Sequence, residues 1–284
     1  MALNISQSSE IRPDQLLILA GKGEIVCNAL TYLIEDLKFP SSNILAVPVQ
    51  NDQGVDTWHR SLRQIATKFG AQVISPEDAY QVSNSIFLSL EFDKIIKPEL
   101  FVTDKLFNIH FSKLPAYKGV YTSIFPILNG ERESGVTLHC IDPGIDTGDI
   151  IAQKIFAIEL EDTARSLFDK YHYFAFELFK EQIGILLSGS YKQTPQTPQG
   201  STFYSRKAID PFDYHVNLYK TSFEIHNQLR ALIFPEYQLP QLEGIRICSS
   251  TLHEEFIGRR MFEDRGSEFV LSGIDGYKII AQKA

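Results

Sequence analysis

The chain has 284 residues, of which 44% are hydrophobic and 22% are charged, a composition typical of a globular protein with one large and one small domain. Its net charge of −8 argues against nucleic acid or an anionic membrane as the main partner. Three widely spaced cysteines fit a reducing compartment, and the polar N-terminus lacks the basic-then-apolar order of a signal peptide. We therefore expect a cytoplasmic protein that does not enter a membrane.

Short apolar segments alternate with amphipathic helical patterns in the first part of the chain. Buried strands are predicted at 16–20, 43–49, 71–74 and 85–90. Helices are predicted at 25–34 and 55–69. Strands that alternate with helices usually form a parallel, doubly wound sheet, so the sequence predicts an α/β, Rossmann-like fold.

Gly21 and Gly23 follow the first predicted strand, where a dinucleotide-binding protein carries the pattern G-x-G-x-x-G. Val26 occupies the third glycine position, and its Cβ would hinder the close approach that this motif requires. No acidic residue ends the second strand, at 47–50. We therefore interpret the two glycines as a tight strand-to-helix turn, which disfavours a nicotinamide- or flavin-dependent oxidoreductase.

The second half of the chain contains a long helix, a linker and a smaller module. Apolar periodicity predicts the helix at 163–187, and the polar Pro/Gln/Thr segment 193–200 predicts the linker. One helix and several short strands with turn signals follow. We therefore predict a large domain at 1–192, with a flexible segment at 1–13, and a small, mostly β domain at 201–284.

Two polar residues, Asn108 and His110, interrupt an apolar strand predicted at 106–111. They share a face, because residues i and i+2 of a strand point the same way. The next strand, at 136–141, leads into a Pro/Gly turn that carries three aspartates, Asp142, Asp146 and Asp149. An amide beside an imidazole suits attack on a carbonyl, since one can donate to an oxyanion and the other can move a proton. The residues alone support a buried structural histidine and an ordinary turn equally well.

A metal site is not predicted from these side chains. The spacings of the three aspartates do not fit the calcium loop D-x-D-x-D-G. The histidines and cysteine nearest to them lack zinc-site spacing as well; they are His110, His139, His172 and Cys140.

Three motifs in the central part of the chain resemble the formyltransferase family that uses N10-formyltetrahydrofolate. They are Asn-Ile-His-Phe-Ser-Lys-Leu-Pro-Ala-Tyr-Lys-Gly at 108–119, Gly-Val-Thr-Leu-His at 135–139 and Asp-Pro-Gly-Ile-Asp-Thr-Gly-Asp at 142–149. A weaker similarity includes 225–231. The family contains enzymes that act on glycinamide ribonucleotide, methionyl-tRNA and amino sugars on nucleotide carriers. The resemblance implies a formyltransferase-type Rossmann-like fold and an enzyme that transfers a one-carbon group.

The resemblance also implies a catalytic triad of Asn108, His110 and Asp146. In such an enzyme the substrate amine attacks the formyl carbon, and Asn108 with His110 stabilises the oxyanion. Asp146 sustains the charge on His110 and assists proton transfer to the departing N10. N10-formyltetrahydrofolate is the implied co-substrate, and no metal is implied. The residues predicted to contact folate are Phe92, Asp93, Lys94, Ile96, Phe101, Asp142, Pro143, Gly144 and Ile145.

The intermediate chain length and three aromatic or basic segments, at 118–123, 203–207 and 234–237, resemble the sugar N-formyltransferases within this family. The implied reaction is formylation of a dTDP-linked 3-amino- or 4-amino-dideoxyhexose for surface polysaccharide, such as O-antigen. Aromatic residues would stack on the thymine and basic residues would bind the phosphates. The predicted substrate contacts are Tyr121, Arg206, Lys207, Arg230, Phe234 and Tyr237.

The C-terminal domain would serve nucleotide-sugar binding, dimerisation or both, because such enzymes are commonly homodimers through this part. Two alternatives remain open. One is formyl transfer to another amine, on a UDP-aminopentose or methionyl-tRNA. The other is a non-catalytic folate-binding relative, against which the complete set of Asn108, His110 and Asp146 argues.

Overall fold

A computed structural model describes residues 15–284, and the predicted flexible segment 1–13 lies outside these residues. In chain order the strands are β1 (Leu16–Gly21), β2 (Ile44–Pro48), β3 (Gln72–Val73), β4 (Ser85–Leu90), β5 (Leu106–His110), β6 (Lys118–Gly119), β7 (Glu133–Cys140), β8 (Ile150–Ala157), β9 (Phe203–Tyr204), β10 (Gln241–Leu242), β11 (Ile245–Phe256), β12 (Met261–Asp264), β13 (Glu268–Ser272) and β14 (Tyr277–Lys283). The helices are α1 (Gly23–Glu35), α2 (Leu62–Phe69), α3 (Pro76–Ala79), α4 (Phe125–Leu128), α5 (Ala164–Ser188) and α6 (Ser222–Arg230).

Residues grouped by spatial proximity form two compact units. Within the described residues, the first unit comprises 15–115, 135–154 and 172–201. The second unit comprises 116–134, 155–171 and 202–284. These units group residues that lie close together in space. They do not test whether the chain divides into independently folding domains at 193–200, so that boundary stays a prediction.

The first unit is built on a seven-stranded sheet with the order β3-β2-β1-β4-β5-β7-β8. The first five strands in this order are parallel, and β7 pairs with β5 in the antiparallel direction. β1, β2 and β4 are apolar and buried along almost their whole length, as expected for strands covered on both faces. The prediction of an α/β, Rossmann-like sheet is confirmed.

The first glycine of the Gly21/Gly23 pair allows two neighbouring strands to approach closely. Gly21 ends β1 and pairs with Leu90 at the end of β4. A Cβ added at Gly21 would lie 1.8 Å from the carbonyl oxygen of Leu90, so any other residue would push β1 and β4 apart. The close packing of β1 and β4 therefore explains why a glycine is required at this position without a bound dinucleotide.

The helix predicted at 55–69 is shorter in the structure, where α2 begins only at Leu62. Ser61 caps this helix, because its hydroxyl accepts a hydrogen bond from a backbone amide of the first turn. Asp52 accepts hydrogen bonds from the Ser61 hydroxyl and from two backbone amides. These bonds hold 52–61 as a loop, so the helix prediction for 55–61 was wrong.

The long helix predicted at 163–187 is confirmed as α5, within one residue at each end. Its apolar stripe is buried, including Leu167, Tyr171, Leu178 and Ile183, so the stripe is part of the core. No helix among residues 15–284 is both long and apolar enough to cross a membrane.

The second unit contains a five-stranded sheet with the order β10-β11-β14-β13-β12, in which paired strands are antiparallel. α6 packs on this sheet through Ile225 and Leu229, which join Ile247, Phe269 and Ile279 in one buried cluster. The small, mostly β C-terminal part predicted from the sequence is therefore present.

Candidate active site

β5 carries the two polar residues that the sequence singled out. Across the antiparallel pair with β7, Asn108 lies opposite His139 and His110 lies opposite Thr137. His110 is 8% exposed and Asn108 is half-buried. Both side chains contact Asp146, so they share one face of β5 as predicted.

The loop at 141–149 is shaped by the first of its three aspartates. The Asp142 carboxylate accepts hydrogen bonds from the backbone amide of Gly144 at 3.1 Å and from the Thr147 hydroxyl at 2.6 Å. Short polar side chains often stabilise turns in this way. Asp142 therefore fixes the conformation of the turn that precedes Asp146.

The same loop is closed at its neck, where it leaves and rejoins the sheet. The Cys140 amide donates to the carbonyl oxygen of Asp149 at 2.9 Å. A Cβ added at Gly148 would lie 1.9 Å from the Cys140 carbonyl oxygen, so only glycine fits there. The Gln196 side-chain amide donates to the carbonyl oxygens of Asp146 and Gly148, at 2.9 and 2.8 Å. These contacts hold Asp146 in its left-handed conformation, with φ +54°.

The Asp146 carboxylate lies at the centre of the predicted triad. Its Oδ1 is 3.5 Å from Nδ1 of His110 and 3.5 Å from Nδ2 of Asn108, and the side chain is 13% exposed. A nearby carboxylate stabilises a protonated imidazole, and an amide N–H can stabilise an oxyanion. The structure thus brings the three residues together in an arrangement suited to nucleophilic attack on a carbonyl.

His139 also belongs to this site, although its place in the motif at 135–139 predicted no catalytic role for it. Its ring is 2% exposed, with Nε2 3.1 Å from Asn108 Nδ2 and 3.6 Å from Asp146 Oδ1. Its Nδ1 lies 2.7 Å from the carbonyl oxygen of Cys140. The signal in the sequence was a polar residue, His139, in an otherwise apolar strand. That signal points to Asn108 only once the antiparallel register of β5 and β7 is known.

Within residues 15–284, neither a metal centre nor a reactive thiol is found beside the triad. Among the described residues, no group of three or more His, Cys, Asp or Glu side chains could hold a metal ion. Burial raises the pKa of the Cys140 thiol to about 11 and that of Cys27 to about 12. Both thiols are therefore protonated and weakly nucleophilic at neutral pH.

The residues predicted to contact folate lie on two segments of the first unit. A cavity of about 440 Å³ is lined by Phe101 from one segment and by Asp142 and Pro143 from the other. Phe92 and Ile96 pack against the same apolar cluster as Phe101. The structure thus brings five of the nine residues to this cavity or to the cluster beside it.

The other four predicted folate contacts lie at the protein surface; they are Asp93, Lys94, Gly144 and Ile145. Packing within the loop explains why position 144 is a glycine. A Cβ added to Gly144 would lie 1.9 Å from Thr147 Oγ1, so a larger residue would disrupt the turn.

The six residues predicted to bind the nucleotide sugar all belong to the second unit. Arg206, Lys207 and Tyr237 are exposed, and Tyr121 is half-buried in a left-handed conformation with φ +60°. Phe234 is buried, and its ring centroid lies 4.9 Å from that of Tyr237. Four of the six are therefore at least partly accessible to a ligand.

Arg230 is 2% exposed, and its guanidinium is engaged within the second unit. It donates to the carbonyl oxygens of Glu159 at 3.0 Å and Asp162 at 2.7 Å, and to Asn227 Oδ1 at 2.9 Å. Burial lowers the pKa of Arg230 to about 10. These contacts favour a structural role for this residue over the predicted contact with phosphate.

The fold and the site together define an α/β protein with a site suited to acyl transfer. Residues 50–183 match the family described as Formyl transferase. An N-formyltransferase from Helicobacter canadensis, solved in complex with folinic acid and dTDP-3-aminofucose, is 50% identical, with a TM-score of 0.92 over 95% of this chain and 100% of that one. The chain belongs to the formyl transferase family, which confirms the resemblance inferred from its motifs.

Two further relatives share this similarity. The sugar 3N-formyltransferase WlaRD, solved in the presence of dTDP and 5-N-formyl-THF, is 48% identical over 95% of this chain and 97% of that one, with a TM-score of 0.92. A methionyl-tRNA formyltransferase from Synechocystis sp. is 28% identical over 210 residues, or 68% of this chain. That match spans only 63% of the Synechocystis enzyme, less than two thirds of its length.

Proposed function

We propose that this protein transfers the formyl group of N10-formyltetrahydrofolate to the amine of a dTDP-linked 3-amino-dideoxyhexose. The observation that carries the proposal is the cluster of Asn108, His110 and Asp146 in a chain about half identical, along nearly its whole length, to two sugar N-formyltransferases. One of those enzymes was solved with a dTDP-linked 3-amino sugar, and the other is described as a 3N-formyltransferase. These descriptions favour the 3-amino over the 4-amino sugar.

The contacts within the triad support a role for each residue. The neutral amine attacks the formyl carbon, and the carbonyl oxygen becomes an oxyanion that the Asn108 N–H and His110 stabilise. Asp146, 3.5 Å from His110 Nδ1, stabilises the positive charge of the ring while this intermediate exists. The proton lost by the amine passes to N10 as the C–N10 bond breaks, which leaves the formamide and tetrahydrofolate.

The cavity beside Phe101 is the proposed site for the folate. Its volume of about 440 Å³ is within the range of small-molecule sites, roughly 300–1,000 Å³. It is lined by the aromatic residue Phe101 together with Asp142 and Pro143, a combination of residue types that suits a flat ring with polar edges. The loop that supplies Asp142 and Pro143 to the cavity also carries Asp146, so one loop contributes to both the proposed folate site and the triad.

The nucleotide is proposed to bind to the second unit. Arg206 and Lys207 supply exposed positive charges for the phosphates, and Tyr237 and Tyr121 supply aromatic surface for the base. We also infer a cytoplasmic homodimer that contributes to surface polysaccharide. Exposed Phe256 and Phe262 on the C-terminal sheet are consistent with a subunit interface.

The proposal is tested by incubating the purified protein with N10-formyltetrahydrofolate and a panel of amines. The panel contains dTDP-3-amino and dTDP-4-amino sugars, a UDP-aminopentose and methionyl-tRNA. We expect release of tetrahydrofolate and a formylated product, identified by mass, with a dTDP-3-amino sugar. Product with methionyl-tRNA alone would overturn the substrate assignment. Folate binding without product from any amine would overturn the enzyme assignment and support a non-catalytic relative.

A further inference from the structure

The protonation pattern of His139 follows from its neighbours. Its Nδ1 is 2.7 Å from the carbonyl oxygen of Cys140, and a carbonyl oxygen can only accept a hydrogen bond. Nδ1 therefore carries the proton. In the neutral ring the lone pair is then on Nε2, which lies 3.1 Å from Nδ2 of Asn108.

This lone pair determines which way the Asn108 carboxamide points. Nδ2 lies between two acceptors, His139 Nε2 at 3.1 Å and Asp146 Oδ1 at 3.5 Å. An amide rotated by half a turn would place its oxygen opposite both of them, where like partial charges repel. The nitrogen therefore stays on this side, and one of its two hydrogens is held by His139.

The second Asn108 hydrogen is held much less firmly. Its contact with Asp146 Oδ1 is 3.5 Å, whereas a good N–H···O bond spans about 2.7–3.2 Å. This hydrogen is at the edge shared with His110 and Asp146, where the proposed oxyanion forms. A developing oxyanion can take it over at little cost, provided that the amide does not rotate.

We propose that His139 is a positioning residue that locks the Asn108 carboxamide with its nitrogen towards the reacting carbonyl. The inference rests on the proposed formyl transfer, because only that reaction gives the amide an oxyanion to stabilise. His139 itself does not touch the reacting atoms. It acts through Asn108, which lies directly opposite His139 in the register of β5 and β7.

The test compares His139→Leu, which removes the acceptor, with His139→Gln, whose Oε1 can accept the same hydrogen. We expect His139→Leu to lower kcat by about 10- to 100-fold, less than the roughly 100- to 1,000-fold effect of deleting an oxyanion donor, with little change in either KM. We expect His139→Gln to recover most of that loss. Unchanged kcat in His139→Leu, or no recovery in His139→Gln, would overturn the proposal.

Two further measurements separate positioning from a structural role. In an Asn108→Ala background, His139→Leu is expected to lower kcat no further, and an additional loss of the same size would contradict action through Asn108. Nitrogen-15 NMR of the wild-type protein is expected to show His139 protonated on Nδ1 alone, and protonation on Nε2 would overturn the inference without any variant. Failure of the wild type to formylate any amine overturns the proposed function instead, so the two failures are distinguishable.

Discussion

The carboxylate of Asp146 lies 3.5 Å from Nδ1 of His110, although Asp146 follows a strand that runs antiparallel to the strand carrying His110. β7 leads the chain away from the end of β5 where His110 is located. The loop after Cys140 must therefore turn back before Asp146 can meet the imidazole. The hydrogen bonds made by Asp142, Asp149 and Gln196 supply that turn.

Asp146→Asn tests the carboxylate with little change in backbone strain, because asparagine also tolerates the left-handed conformation at this position. The loss of the negative charge beside His110 should lower kcat by about 100- to 10,000-fold, the usual range for acid–base groups. Steady-state kinetics and the melting temperature measure both effects. Asp149→Asn in the same loop is the control and should keep most activity. An Asp146→Asn enzyme as fast as the wild type would refute the catalytic role.

Gly21→Ala and Gly184→Ala should change stability in opposite directions. At Gly21 the new Cβ would lie 1.8 Å from the Leu90 carbonyl oxygen, and strain should lower the free energy of unfolding by about 1–3 kcal/mol or more. At Gly184, within α5, an added Cβ would meet no described atom within 4 Å apart from its chain neighbours and the nearby backbone of its own helix. There alanine should add about 0.5–1 kcal/mol, since it favours the helix. Denaturant unfolding measures both values, and equal shifts would contradict the packing argument.

Arg230→Met should destabilise the protein rather than weaken substrate binding. The change removes the buried hydrogen bond to the Asp162 carbonyl oxygen, at about 1–3 kcal/mol for a buried group left unsatisfied, whereas the Glu159 carbonyl oxygen keeps the Asp162 amide as a donor. Arg206→Met is the matched control, because Arg206 is exposed and should affect mainly the KM for the nucleotide sugar. A stable Arg230→Met enzyme with a raised sugar KM would instead restore the original prediction for this residue.

His226 should make stability depend on pH. Its Nε2–H donates to the Leu160 carbonyl oxygen and its Nδ1 lies 2.8 Å from Ser250 Oγ, and burial lowers its pKa from 6.5 to about 4. Between these values the unfolded chain binds a proton that the folded protein does not. Stability is therefore complete above about pH 6.5 and falls as the pH drops towards 4, by up to about 3 kcal/mol.

Urea unfolding of the wild type and His226→Gln across this pH range isolates the effect from that of the carboxylates. The difference between the two proteins should shrink as the pH falls, since the wild type alone loses the histidine contribution. His215→Gln, at an exposed histidine, should follow the wild-type curve. Parallel curves for His226→Gln and wild type would show that the buried ring titrates normally.

Sequence patterns predicted the sheet well, because strands covered on both faces leave a local apolar signal, whereas the catalytic triad was implied by the family resemblance and stays a prediction. Apolar runs marked β1 and β4, and the spacing of Asn108 and His110 placed them on one strand face. The helix at 55–61 was misjudged because its apolar periodicity continued past a cap that Asp52 and Ser61 form together. That interaction joins residues in a loop, which periodicity does not report.

Local sequence patterns did not predict the register between β5 and β7 or the burial of Arg230. Whether β7 ran parallel or antiparallel to β5 decided that His139 would face Asn108, and neither strand encodes that choice by itself. Arg230 had the composition of a surface residue, since arginine is seldom buried. Its burial depends on carbonyl oxygens from the distant segment 159–162, which only the folded chain brings near.

The hydrogen bond between the Cys140 amide and the Asp149 carbonyl oxygen closes the neck of the loop, so we expect the residues between them to shift together. Asp142 and Pro143 of this loop line the proposed folate cavity, and Asp146 of the same loop contacts His110 and Asn108. We therefore expect a ligand that shifts the cavity wall to shift the Asp146 carboxylate as well. A folate analogue that only slightly overfills the cavity would consequently impair proton transfer in addition to displacing the natural donor.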